Sequence, residues 1–167
     1  MTVASISRVS VAAVLALGLA LGACARNNAA EDAAMNGAYG AASGPGSIQE
    51  FAASVGDRVF FDTDSTELSS SGQATLDKQA AWLNQYNRYT FTIEGHADER
   101  GTREYNFALG ARRAEAAKDY LIAKGVAAAR IKTISYGKER PVAVCNDISC
   151  WSQNRRAVTV LAGAAGS

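Results

Sequence analysis

The stretch Tyr89-Thr90-Phe91-Thr92-Ile93-Glu94-Gly95-His96-Ala97-Asp98-Glu99-Arg100-Gly101-Thr102, with the residues that follow it to Gly125, decides the fold. Tyr89, Phe91 and Ile93 alternate with Thr90, Thr92 and Glu94. That period of two marks a strand with one covered face, here the aromatic one. A charged loop follows from Gly95 to Thr102. Thr102 then caps a helix with Glu104 in its first turn, where acid suits the positive end of the dipole. Leu109, Ala116, Ala117, Tyr120 and Leu121 form the apolar stripe of this helix, and Gly125 ends it.

Upstream, residues 57–61 are a short β-branched and aromatic run, ended by the turn formers Asp62-Thr63-Asp64-Ser65. Serines 69–71 offer N-caps for a helix in which Leu76, Ala80 and Leu83 share a face, ending near residues 84–87. Downstream, residues 131–136 alternate again and residues 157–161 form a last β-branched run. The order is β-α-β-α-β-β without internal repeat. It predicts an α+β domain in which two main helices pack on one face of a mixed four-stranded sheet.

The first 47 residues have a different character. Residues 9–21 are an apolar run preceded only by the amino terminus and Arg8 as charges, which is the layout of a signal peptide. The run is shorter than the roughly 20 residues that span a bilayer. Leu21-Gly22-Ala23-Cys24 resembles the bacterial lipobox, which implies cleavage after residue 23 and a diacylglyceryl thioether on Cys24. Several acyl chains on one cysteine anchor a protein durably, whereas one chain holds it only marginally. Ala25 stands where an Asp would retain a lipoprotein in the inner membrane, so the outer membrane is the expected location. Residues 24–47 are rich in Ala, Gly, Asn and Ser and read as a tether with a reach of about 25 Å. The expected organisation is a signal peptide over residues 1–23, a lipidated N-terminus and linker over 24–47, and one domain over 48–167.

Composition excludes some functions. The chain has 17 basic and 16 acidic residues, and loss of residues 1–23 removes Arg8 alone, leaving 16 against 16. A neutral protein lacks the broad basic field of a nucleic-acid binder, so no nucleic-acid partner is expected. Cys145 and Cys150 enclose residues 146–149, and in the oxidising compartment implied by the signal peptide they are expected to form a disulfide rather than a metal site or free thiols. Closing so small a loop contributes roughly 2 kcal/mol. Glu94, His96 and Asp98 lie two apart, as ligands of a metal-dependent or wall-cleaving hydrolase would. His96 is the only histidine and no second motif completes such a site, so solvent-side strand residues are the expected role and neither a metal nor catalysis is predicted.

Four collinear blocks carry a resemblance: Val59-Phe60-Phe61-Asp62-Thr63-Asp64, the segment from Gly95 to Thr102, Ser135-Tyr136-Gly137-Lys138-Glu139-Arg140-Pro141, and Asn154-Arg155-Arg156-Ala157-Val158. Over residues 57–161 the sequence resembles the OmpA-like domain family, in particular its branch of peptidoglycan-associated lipoproteins of the Tol-Pal system. The resemblance implies noncovalent binding of peptidoglycan through meso-diaminopimelate, with Asp98 taking the ammonium and Arg112 a carboxylate through its planar fork. Asp64 and Thr63 match further contacts. Taken alone, Arg112 reads more readily as a solvated or snorkelling helix residue, and Asp98 as a loop cap; the match to the family motif reverses the reading of Arg112. Asn154, Arg155 and Arg156 either support the site or close the sheet edge. The cysteine pair departs from the commoner form of the family and reads as local stapling. The implied partners are peptidoglycan, TolB and other Tol proteins, and outer-membrane lipid, with no cofactor beyond the lipid on Cys24. Stator-type or porin-attached members would need a transmembrane helix or barrel upstream, which the first 47 residues do not supply.

Replacing Cys24 by Ser is expected to leave the protein unprocessed and unacylated; incorporation of radiolabelled palmitate into the variant would refute the anchor.

Overall fold

Side-chain caps set where the longer helices begin. In the computed structural model, which describes residues 44–162, Ser69 Oγ accepts from the Gly72 N–H at 3.1 Å, Thr102 Oγ1 from Tyr105 at 3.2 Å and Asp147 Oδ1 from Ser149 at 2.7 Å. The helices are α1 (Ile48–Glu50, running on as a π-helical turn over Phe51–Gly56), α2 (Ser70–Gln85), α3 (Arg103–Ala123) and α4 (Ile148–Asn154). The strands are β1 (Arg58–Phe60), β2 (Phe91–His96), β3 (Ile131–Gly137) and β4 (Arg156–Leu161). Expectations for the signal peptide, Cys24 and the tether up to residue 43 lie outside the described residues. Among those described, no helix is long and apolar enough to cross a membrane.

The sheet is mixed, in the order β1-β4-β2-β3, with β4 antiparallel to both β1 and β2 and with β2 parallel to β3. Helices α2 and α3 cover one face, as the α+β expectation required. The core lies between: Leu76, Ala80 and Leu83 from α2 and Ala114, Ala117 and Leu121 from α3 meet Val59, Phe91, Ile93 and Leu161 of the sheet, all buried. The alternation of Tyr89, Phe91 and Ile93 is realised as burial, although the strand itself starts at Phe91.

Three features depart from the sequence expectations. The tether does not run to residue 47, because Gly46 O already accepts from Arg88 Nη2 at 2.6 Å and from Tyr89 Oη at 2.7 Å. Helix α1 and its π turn follow directly, with Phe51 packed 4.9 Å from the Trp82 ring in the core. The connection between the last two strands is not a bare loop but contains α4, capped by Asp147 and tied down by the Cys145–Cys150 disulfide.

One close approach positions α3. Gly95 in β2 and Gly110 in α3 meet backbone to backbone, and a Cβ on Gly110 would lie 2.8 Å from the Gly95 carbonyl oxygen and 2.5 Å from Ser135 Oγ. A methyl group there forces helix and sheet apart. Gly110→Ala is therefore expected to destabilise the domain by about 2–3 kcal/mol in urea unfolding; a midpoint and slope equal to the parent's would contradict this packing.

Candidate functional site

The loop after β1 and the loop after β2 lie side by side at the N-terminal end of α3. Asp62 and Ser65 close the first into a turn through a 3.2 Å backbone hydrogen bond, and Asp64 within it takes a left-handed φ of 57°, which a short polar side chain tolerates. Gly101 supplies a φ of 86° where the second loop turns into α3, a conformation natural to glycine. Between the loops is a cavity of about 230 Å³, with Thr63 and Asp64 on one wall, Asp98 and Arg100 on the other, and Tyr105, Leu109 and Arg113 from α3.

Asp98 is 7% exposed. Its Oδ1 accepts from the Arg100 N–H at 3.2 Å and Arg100 Nε at 3.1 Å, while Oδ2 accepts from Arg100 Nη2 at 2.7 Å and Arg155 Nη1 at 3.3 Å. Burial alone would raise its pKa, but these hydrogen bonds outweigh burial and hold the carboxyl below the usual aspartate range. Asp98 is thus an anion at neutral pH. Asp64 is more exposed and accepts from the Tyr105 hydroxyl.

The arginine of α3 that reaches this site is Arg113, not Arg112. Arg112 is exposed and does not line the cavity, whereas Arg113 is fully buried. Its Nε donates to Ser65 O at 2.9 Å, Nη1 to His96 O at 2.8 Å and Nη2 to Asp62 O at 3.0 Å. Burial first, then the charge of Arg155, lowers its pKa to about 10, which still leaves it protonated at neutral pH. A guanidinium carries about five N–H donors. Three are used here, so both terminal nitrogens keep capacity for a ligand. The sequence carries the signal: Leu109, Arg113, Ala117 and Leu121 recur at intervals of four, the spacing of one helix face, which makes Arg113 the polar member of the apolar stripe.

The triplet ahead of β4 divides. Asn154 shapes the preceding loop, accepting from the Val142 and Ala143 N–H groups at 2.8 and 3.2 Å and donating to Ala143 O at 2.8 Å. Arg155 supports the site by bonding Asp98 and, through Nε at 3.0 Å, the Phe61 carbonyl. Arg156 lies on the opposite face of the sheet, donating to Asn154 O and Arg140 O, each at 3.2 Å.

His96 and Asp98 are not solvent-side residues, contrary to expectation. The β2–β3 register shifts between Gly95 and His96, and the imidazole is 2% exposed beneath the Tyr136 ring, 5.6 Å away between centroids. Its Nε2 is 3.7 Å from Glu94 Oε2, but neither ring nitrogen has a hydrogen-bond partner among the described residues. Glu94, His96 and Asp98 do not converge, and among the described residues no three His, Cys, Asp or Glu side chains are grouped as a metal site requires.

The OmpA family model matches residues 60–155. The peptidoglycan-associated lipoprotein of Mesorhizobium japonicum is 62% identical over 166 residues, covering 97% of each chain. That of Rhizobium meliloti is 62% identical over 161 residues, covering 96% of this chain and 92% of its own. Among solved structures, the peptidoglycan-associated lipoprotein from Burkholderia pseudomallei superposes with a TM-score of 0.64 at 42% identity, over 66% of this chain and 96% of that one. The C-terminal domain of Helicobacter pylori MotB, 21% identical with a TM-score of 0.61 over 65% of this chain and 86% of its own, shares the fold. The chain belongs to the OmpA family and, within it, to the peptidoglycan-associated lipoproteins.

Burial, then the charges of Arg156 and Arg140, lowers the His96 pKa from 6.5 to about 4. Between those values the unfolded chain binds a proton that the folded one refuses, so this contribution is complete above pH 6.5 and is lost as pH falls towards 4. The loss amounts to about 3 kcal/mol. Unfolding followed from neutral pH downwards is expected to show a steeper decline for the parent than for His96→Gln; parallel declines would contradict the assignment.

Proposed function

We propose that this protein is an outer-membrane lipoprotein, anchored through acyl chains on Cys24, that binds peptidoglycan noncovalently through the meso-diaminopimelate of the stem peptide. The single observation that supports this most is the cavity in which a buried carboxylate, Asp98, and a buried guanidinium, Arg113, stand together. The free end of meso-diaminopimelate in the stem peptide presents an ammonium and a carboxylate, so its recognition needs one group of each sign. Asp98 receives the ammonium, and the remaining N–H groups of Arg113 receive a carboxylate. Arg113 takes the role that the sequence expectation gave to Arg112. Thr63 and Asp64 complete the opposite wall.

Lipid at one end and wall at the other make the chain a tether between outer membrane and peptidoglycan. The resemblance supports a role in the Tol-Pal system, in envelope integrity and cell division, with TolB competing for overlapping surface. Its names among relatives, which describe association with peptidoglycan, agree with this role. Binding, not catalysis, is the activity: both charged groups are committed to hydrogen bonds that hold them still, and the one histidine is turned away beneath Tyr136.

The test is co-sedimentation of the full-length protein, in detergent, with purified peptidoglycan. Asp98→Asn and Arg113→Lys are expected to reduce retention about tenfold or more, since each removes a charge or a planar fork from the pocket. Arg112→Ala is expected to be retained like the parent. Undiminished retention of Asp98→Asn and Arg113→Lys, each shown to be folded by circular dichroism, would overturn the proposed pocket.

A further inference from the structure

Asp98 has no free acceptor position. A carboxylate offers about four lone-pair sites, and here two are taken by the Arg100 side chain, one by the Arg100 N–H and one by Arg155. Arg155 is buried and also fixed to the Phe61 carbonyl, so it does not leave readily. The Arg100 side chain is 41% exposed. Its guanidinium carbon lies 4.1 Å from the centre of the Trp151 ring, and the indole Nε1 donates to Glu99, the residue between Asp98 and Arg100. Trp151 directly follows Cys150, whose disulfide to Cys145 closes the loop that leads into α4.

We propose that Arg100 is a latch on Asp98, held in place by Trp151, and that it determines the ligand class the cavity accepts. The inference rests on the peptidoglycan reading above. Without ligand, the guanidinium occupies the place at Asp98 that a ligand ammonium must take. An ammonium alone displaces a bidentate ion pair stacked on an indole and leaves the released guanidinium with only Glu99, whose carboxylate already accepts from the Trp151 indole. A ligand that brings a carboxylate beside its ammonium gives both ions new partners, the ammonium at Asp98 and the carboxylate between Arg113 and the released Arg100. The latch thereby selects a zwitterion against a simple amine by making the simple amine unfavourable, which is discrimination through the competitor. Diaminopimelate in a stem peptide meets this condition, and lysine in the same position does not.

The experiment is calorimetric and fluorimetric titration of the full-length protein, in detergent, with two muropeptides: a disaccharide-tetrapeptide carrying meso-diaminopimelate and its counterpart carrying lysine. The parent is expected to prefer the diaminopimelate form by about tenfold or more. Arg100→Ala is expected to bind the lysine form more tightly than the parent does, narrowing the preference to within about threefold. The emission of Trp151, taken as the difference between the parent and Trp151→Phe, is expected to change on saturation with the diaminopimelate form as the cation leaves the ring. An unchanged preference in Arg100→Ala, or Trp151 emission that stays flat while calorimetry records binding, would overturn the latch and leave the peptidoglycan reading standing. Failure of the parent to bind either muropeptide would overturn both.

Discussion

A buried guanidinium organises this end of the molecule. Arg113 reaches from α3 to three carbonyl oxygens, those of Asp62 and Ser65 in the loop after β1 and of His96 at the end of β2. Arg155 also joins the two sides, bonding the Phe61 carbonyl and Asp98, but Arg113 holds both loops from α3, so the shape of the cavity depends on where this side chain lies. Taking a charge out of water is costly unless it is hydrogen-bonded and has opposite charge nearby. Here the carbonyls supply the first, and Asp98 and Asp64 contribute the second. Such an arrangement needs the helix close to the sheet, which the Gly95–Gly110 contact provides.

The charges around the cavity are paired. Arg100, Arg113 and Arg155 stand against Asp98, Asp64 and Glu99, a formally neutral cluster. The last helix serves the same site from a distance. The disulfide and the Asn154 hydrogen bonds hold the loop and α4 in place, and the junction into β4 delivers Arg155 to Asp98. A local staple thus has a consequence at the cavity, because Trp151 and Arg155 both come from the segment it orders.

Much of this was legible in the sequence because burial periodicity is a strong signal over long elements. The alternation at residues 89–94 and the spacing of Leu76, Ala80 and Leu83 gave the strand and helix that the structure contains. The short helices α1 and α4 were not, since few residues leave no period to read and both are held by tertiary contacts: Phe51 against Trp82, and the disulfide beside Asp147. The charged loop was recognisable as a site, but the direction of each side chain was not. Arg112 and Arg113 differ by 100° around a helix, and only burial of the polar member of the stripe at 109, 113, 117 and 121 separates them. His96 and Asp98 escaped the solvent-side pattern for separate reasons: Tyr136 of β3 covers the imidazole, and Asp98 lies past the end of β2, where strand alternation no longer applies.

The central claim is that one zwitterionic group sits between Asp98 and Arg113. The most direct measurement is nuclear magnetic resonance of the full-length protein in detergent micelles, titrated with a muropeptide labelled with nitrogen-15 at the diaminopimelate ammonium. The account predicts that the Arg113 side-chain N–H resonances shift on binding and that the labelled ammonium shows contacts to Asp98 protons. Binding accompanied by unchanged Arg113 side-chain resonances, with shifts gathered on another surface of the domain, would contradict it.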